Sequence, residues 1–84
     1  MIQIGDYLFD RSRKFGKKYD VYRASNGKYI TSFGSSFYQH YKDKIGLWSN
    51  LDHRDKERRK RYYDRHGKDA RFESAKFFSS RFLW

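Results

Sequence analysis

The clearest pattern of apolar and polar positions lies in the stretch KYDVYRASNGKYITSFG, residues 18–34. Two runs rich in Tyr, Val, Ile and Thr flank Asn26-Gly27, a dipeptide that accepts positive φ at both positions of a two-residue turn. The pattern therefore predicts a β-hairpin over residues 18–34.

A two-residue turn also predicts how the hairpin pairs, with Ala24 opposite Tyr29 and Tyr22 opposite Thr31. One face then carries Tyr22, Tyr29, Thr31 and Phe33, and the other carries Tyr19, Val21 and Ile30. Because an isolated hairpin is only marginally stable, we expect a further strand from residues 2–9 to pair with it.

The next segment, SSFYQHYKDKIGLWSN (residues 35–50), has its large apolar residues at helical spacings. These residues are Phe37, Tyr38, Tyr41, Ile45 and Trp48. Gly46 interrupts the pattern, so the segment predicts a short helix followed by a loop.

A stronger helix pattern follows in residues 52–66, where Asp52 can cap the first turn and Gly67 can end the last one. Asp55 stands three residues after Asp52, in an arrangement that resembles a capping box. Nearly every face is polar, because Tyr62 and Tyr63 are the only large apolar side chains. The pairs that can stabilise the helix at i,i+4 spacing are Asp55 with Arg59 and Glu57 with Arg61.

The last stretch, ARFESAKFFSSRFLW, places four Phe, one Leu and Trp84 within residues 70–84. We expect it to fold back over the core as a helix or an aromatic tail. Since the chain has no proline, no repeat and no linker, residues 1–84 form one small domain in this interpretation. The predicted fold class is α+β, a small antiparallel hairpin or three-stranded sheet followed by the basic helix and the aromatic tail.

Composition adds three limits. A chain of 84 residues buries only about 60% of its unfolded surface, and 21% of the residues are aromatic, so the core depends on Tyr, Phe and Trp. The absence of cysteine excludes disulfides and thiolate metal sites and suits a reducing compartment. No stretch approaches the roughly 20 apolar residues of a membrane span.

Charge gives the strongest indication of function, since 20 Lys and Arg against 10 Asp and Glu leave a net charge of +10. Residues 53–68 contain eight Lys and Arg but only three acids, so at least five cations lack a partner within the segment. This excess predicts an acidic partner. The residues expected to contact it are Arg54, Arg58, Arg59, Lys60, Arg61 and Arg65. The flank RSRKFGKK, with Lys17 and Lys18, is either a second contact or a charged loop.

Two alternatives stay open for these features. The basic helix can be a solvated face with surface ion pairs worth about 0–1 kcal/mol each. The partner itself can be nucleic acid, contacted at its phosphates, or the acidic surface of a protein. Tyr22, Tyr29 and Phe33 could stack bases, but in a chain so rich in aromatics a place in the core is the favoured interpretation.

Metal binding and catalysis have little support. His40, His53 and His66 are spaced thirteen residues apart, no cysteine accompanies them, and two of them would lie four turns apart on one helix. No phosphate-binding loop, dinucleotide or hydrolase motif is present, and His53-Arg54-Asp55 lacks the rest of a kinase catalytic loop. We therefore expect a protein that is not an enzyme and has no metal, cofactor or small-molecule substrate.

Three segments together resemble a family of small basic proteins encoded by nucleocytoplasmic large DNA viruses, of mimivirus, chlorella-virus and iridovirus type. The segments are SFG (32–34), HRDKERRKRYYDRHGKDARF (53–72) and AKFFSSRFLW (75–84). The matching residues are His53, Asp55, Arg58, Arg59, Tyr62, Arg65 and His66, and Ala75, Phe77, Ser79, Leu83 and Trp84 in the tail. The resemblance extends over residues 19–84, but the eighteen residues 35–52 form a longer connection than in that family.

The resemblance implies a viral origin and supplies no established catalytic activity or site. It suggests a minor capsid or virion-associated structural protein, present in the virion and in the host cytoplasm during infection, whose basic helix binds an acidic protein surface. The alternative is a nucleic-acid-binding protein that contacts viral DNA phosphates in genome packaging or gene expression.

Overall fold

The computed structural model describes all residues 1–84 and combines one antiparallel sheet with two helices. The α+β class is therefore confirmed, but the sheet has four strands in the order β1-β2-β3-β4 rather than two or three. The strands are β1 (Ile2–Ile4), β2 (Tyr7–Arg11), β3 (Lys17–Arg23) and β4 (Tyr29–Ser35). The helices are α1 (Lys56–His66) and α2 (Ala75–Phe82), and neither is long and apolar enough to cross a membrane.

The first two strands replace the single strand expected over residues 2–9. The chain reverses at Gly5, whose φ of 58° is the left-handed conformation that glycine adopts without strain, and Ile4 pairs with Tyr7. A hairpin forms where we predicted one continuous strand, and this adds the fourth strand to the sheet.

The β3–β4 hairpin occupies the predicted residues, but its predicted register is wrong. Tyr22 pairs with Tyr29 and Val21 with Thr31, with a bulge between Val21 and Tyr22. The turn is longer than two residues, because the Gly27 N–H donates 2.7 Å to the Arg23 carbonyl. The bulge shifts the alternation of side chains along the strand.

As a consequence, Phe33 pairs with Tyr19 and lies on the core face, not on the face with Tyr22. The core consists of aromatic rings from the sheet packed against those from α2, with Phe33 stacked on Phe78 at a centroid distance of 5.6 Å. Its fully buried members are Phe9, Tyr19, Val21, Phe33, Phe78 and Leu83.

The segment after β4 contains no α-helix, contrary to the short helix predicted for residues 35–50. Asp43 and Asp52 hold it as a loop that ends in a short 3-10 turn at Ser49–Leu51. The Asp43 carboxylate accepts hydrogen bonds from the Ile45 and Trp48 N–H groups, both of 2.8 Å. These hydrogen bonds satisfy main-chain N–H groups that would be paired with main-chain carbonyls in a helix.

The basic helix α1 begins later than predicted, because Asp55 and not Asp52 is its N-cap. The Asp55 carboxylate accepts hydrogen bonds from the Arg58 and Glu57 N–H groups, which lower its pKa. Asp52 instead accepts hydrogen bonds from the loop, and α1 ends at His66 with Gly67 as its C-cap.

Residues 70–84 contain α2, which Ser74 caps, and the chain after it returns to the sheet and the loop. Lys42 and Lys44 donate main-chain hydrogen bonds to the Leu83 and Phe82 carbonyls. Leu83 also packs against Gly34, where a β-carbon would stand 2.9 Å from the Leu83 side chain. The glycine of the SFG segment therefore makes room for the end of the chain.

Candidate anion-binding groove

Helix α1 attaches to the rest of the molecule through its two tyrosines. Tyr62 is buried, its hydroxyl lies 3.1 Å from the Ser80 hydroxyl, and the Tyr63 hydroxyl donates 3.1 Å to the Ser80 carbonyl. The predicted cations of α1 lie on the remaining, exposed faces.

Three of these arginines share one open groove of about 800 Å³. Arg58, Arg61 and Arg65 lie at i, i+3 and i+7 on α1, so their side chains project from one face of the helix. The groove, called here the arginine groove, is lined by Tyr38, Gln39, Arg58, Arg61, Asp64, Arg65 and Trp84.

The guanidinium groups of the arginine groove are not neutralised by carboxylates. Arg58 donates a 2.9 Å hydrogen bond to the Gln39 side-chain oxygen, and neither Arg61 nor Arg65 forms an ion pair. The one acid in the groove, Asp64, is paired at 2.8 Å with Lys60. The predicted pairs of Asp55 with Arg59 and Glu57 with Arg61 are also absent, and Asp55 caps the helix instead.

The other predicted cations are placed elsewhere. Arg59 donates 2.7 Å to the Trp84 carbonyl and lies over the rings of Tyr41 and Tyr63 at 5.1 and 5.6 Å, so it contributes to packing. Arg54 is exposed just before α1, and Lys17 is exposed on β3. The structure thus brings together half of the predicted helix cations and leaves the others outside the groove.

Lys18 is the clearest departure from the predicted contacts, because it is 98% buried rather than presented to a partner. Its Nζ donates 2.8 Å to the Tyr38 carbonyl, and burial lowers its pKa to about 8. It lines a smaller cavity of about 260 Å³ that shares Tyr38, Gln39, Arg65 and Trp84 with the arginine groove. Lys18 therefore positions Tyr38 in the groove wall and is not part of the exposed contact surface.

The residues that sequence reasoning missed are the walls of the groove, Tyr38, Gln39 and Trp84. The Tyr38 carbonyl accepts the hydrogen bond from Lys18. Gln39 is followed by the buried His40, whose Nε2 bonds Asp52 at 2.5 Å. Nothing in the local pattern indicated this, because the apolar spacing around Tyr38 was typical of a helix.

The surroundings of His40, the loop's anchor, favour the neutral form of its ring. Its ring is fully buried, with Nε2–H donating to Asp52 and Nδ1 without a hydrogen-bond partner. A second ring proton would be a buried donor with no acceptor. Burial and the charge of Lys18 lower the pKa of His40.

The aromatics suggested for base stacking do not form a platform on the sheet. Phe33 is buried in the core, as the favoured interpretation had it, and Tyr22 is half-buried against Tyr29 at 5.8 Å. Tyr29 is 44% exposed, but its hydroxyl is held by Ser32 and Lys14.

The charge excess of the sequence is retained in three dimensions. Among the Lys and Arg side chains only Arg23, with Glu73, and Lys60, with Asp64, form ion pairs with carboxylates. Asp43 and Asp52 accept hydrogen bonds inside the molecule and so are not available to the surface cations. No group of three or more His, Cys, Asp or Glu side chains is arranged to hold a metal ion.

The chain matches no protein-family model, no curated protein and no solved structure. The resemblance to small basic proteins of large DNA viruses therefore stays a prediction.

Proposed function

We propose that the protein is a non-enzymatic nucleic-acid-binding protein whose arginine groove holds a phosphate backbone. The observation that carries this proposal is the convergence of Arg58, Arg61 and Arg65, without ion-pair partners, on one concave surface. A guanidinium group presents a planar fork of N–H donors that matches a phosphate.

The spacing of the arginines favours a chain of phosphates, rather than a single anion, as the ligand. With a rise of about 1.5 Å per residue, Arg58 and Arg65 are separated by roughly 10 Å along the helix axis. Successive phosphates on one strand of duplex DNA rise about 3.4 Å. The row of arginines can therefore contact more than one nucleotide.

One of the three arginines is also preorganised by its surroundings. Arg58 is oriented by Gln39, and the Trp84 ring, which lines the groove, is held by its stack on Tyr62. A side chain that is already held loses less entropy on binding. Contacts of this kind position a nucleic acid without reading its sequence.

The second candidate is the structural role that the viral resemblance suggests, a minor capsid or virion component bound to an acidic protein surface. The combination of exposed Arg with exposed Tyr and Phe supports it, since these residues are enriched in protein interfaces. In that role the protein would be found in purified particles at a copy number fixed by the capsid. Absence from particles would exclude this candidate.

The nucleic-acid proposal is tested by the salt dependence of binding. Fluorescence anisotropy with a labelled oligonucleotide, as a single strand and as a duplex, should show affinity that falls as salt rises. The slope of log K against log salt should be about −0.9 per phosphate neutralised on the duplex and about −0.7 on the single strand.

The matched variants are two triple substitutions with equal loss of charge. R58A/R61A/R65A should bind weakly and with a shallower slope, whereas K28A/K42A/R71A, whose residues are exposed outside the groove, should bind nearly as the unmodified protein does. Equal weakening by both would mean that net charge and not the groove is responsible. No binding at low salt would refute the proposal.

A further inference from the structure

The surface next to the arginine groove carries three large aromatic side chains that face solvent. Phe15 is 93% exposed, Phe37 65% and Tyr38 72%. We call them the aromatic ridge. Phe15 and Phe37 contact each other with ring centroids 5.4 Å apart, and Tyr38, the next residue along the chain, lines the groove. The ridge therefore leads from the β2–β3 turn into the groove.

The ridge is held by its two loops. Gly16 has a φ of 83°, and a β-carbon there would stand 3.1 Å from the Phe37 ring, so the ring lies against the glycine backbone. The Ser36 N–H donates 3.0 Å to the Gly16 carbonyl, and Lys18 holds the Tyr38 carbonyl. The exposed rings are thus presented by a hydrogen-bonded scaffold.

Cations lie on both sides of the aromatic ridge. Arg13 and Lys17 each stand two residues from Phe15 in the chain and are exposed, whereas the Lys14 ammonium is bonded to the Tyr29 hydroxyl. The arginine groove lies at the other end of the ridge. Exposed rings between cations are typical of surfaces that track a single strand, with phosphates on the cations and bases on the rings.

We infer that the aromatic ridge makes the protein prefer unpaired nucleotides to a duplex. This inference rests on the proposed nucleic-acid binding. Bases of a single strand stack on Phe15, Phe37 and Tyr38 while their phosphates lie along the arginine groove and Lys17. In a duplex the faces of the bases are covered by their neighbours, so only unpaired bases can use the ridge. Because every base has a face that can stack on an aromatic ring, the preference is tolerant of sequence.

The continuity of the aromatic ridge with the arginine groove favours single-stranded nucleic acid over a lipid surface as the partner. Tyr38 belongs both to the ridge and to the groove wall, and the groove is concave and lined by polar groups. A bilayer surface is flat on the scale of this protein and fits a concave groove less well than a single strand does. A single strand uses both surfaces at once.

The experiment compares a labelled oligothymidylate with a blunt-ended two-strand duplex of equal phosphate number, using the full chain. The unmodified protein should bind the single strand more tightly than the duplex. F15A/F37A should lose roughly tenfold or more in single-strand affinity, in line with losses measured for stacked bases, and keep its duplex affinity. F72A is the matched control, because Phe72 is 69% exposed and lies outside the ridge and the groove.

The outcomes separate the two proposals. Equal affinity for both nucleic acids, unchanged in F15A/F37A, overturns the preference and leaves the nucleic-acid function in place. No affinity for either nucleic acid overturns both. If F15A/F37A loses binding to phosphatidylserine vesicles but keeps single-strand affinity, the ridge is a membrane contact and the inference is wrong. Circular dichroism of each variant shows whether the fold is retained.

Discussion

The Trp84 ring stacks on the Tyr62 ring with the planes 2° apart and the centroids 4.5 Å apart. This contact joins the end of the chain to the buried face of α1, and the adjacent Trp84 carbonyl accepts the 2.7 Å hydrogen bond from Arg59. The stack thereby sets the position of the basic helix and provides one wall of the arginine groove.

Removing the Trp84 ring should therefore weaken both folding and binding. W84A should lower the free energy of unfolding by about 1 kcal/mol or more, since aromatic pairs contribute about 0.5–1.5 kcal/mol beyond the area they bury. W84F keeps a ring that can stack and should recover most of the loss. Urea denaturation measures both, and an unchanged midpoint for W84A would show that the stack contributes nothing.

The close approach of Leu83 to Gly34 gives a second test, with Gly27 as the matched control. Both glycines have positive φ, at 77° and 72°, so alanine is strained at each. Only at Gly34 would the new β-carbon meet atoms, 2.9 Å from the Leu83 side chain. G34A should lower the melting temperature clearly more than G27A does. Equal losses in melting temperature would mean that Leu83 moves aside without reducing stability.

Phe78 tests the aromatic core. Its ring is fully buried and stacks on Phe33, so F78A should cost about 3–5 kcal/mol, a large part of the stability of a small domain. Phe72 is 69% exposed, and F72A should stay within about 0.5 kcal/mol. Chemical denaturation of the two variants checks this contrast, and similar losses would contradict the assignment of the core.

The buried Lys18 predicts a rise in stability at alkaline pH. Its pKa is about 8 in the folded protein and near 10.5 when exposed, so between these values the unfolded chain binds more protons. The free energy of unfolding should therefore increase from pH 8 to about 10, where the raised pKa of Tyr19 begins to act in the opposite direction. K18M should remove the increase and the exposed-site control K17M should retain it. A rise that persisted in K18M would belong to another group.

His40 predicts a loss of stability in weak acid. Burial lowers its pKa below the usual 6.5, as it does for His53, so below that pH the unfolded chain takes up protons that the folded protein does not. The free energy of unfolding should fall between pH 7 and pH 5. H40Q should be less stable at pH 7 and show a shallower fall. A fall of undiminished steepness in H40Q would exclude His40 as its source.

The features that depend on residues adjacent in the sequence were predictable from the sequence. The Asn-Gly turn between β-branched and aromatic runs indicated a hairpin over residues 18–34, and Gly67 indicated the end of α1, because both signals are local. The charge excess was predictable for a similar reason. Few acids stand within reach of the cations of residues 53–68, and the fold does not bring others to them.

Tertiary structure decided the properties that depend on distant parts of the chain. The bulge at Val21 placed Phe33 in the core. Asp52 bonds His40 in the loop, and Asp55 caps α1. Burial turned Lys18 from an expected contact into a support for Tyr38. The sequence by itself determined how much positive charge the protein presents. Which cations share a groove, and which aromatic rings stand beside them, depended on packing between segments that no local pattern encodes.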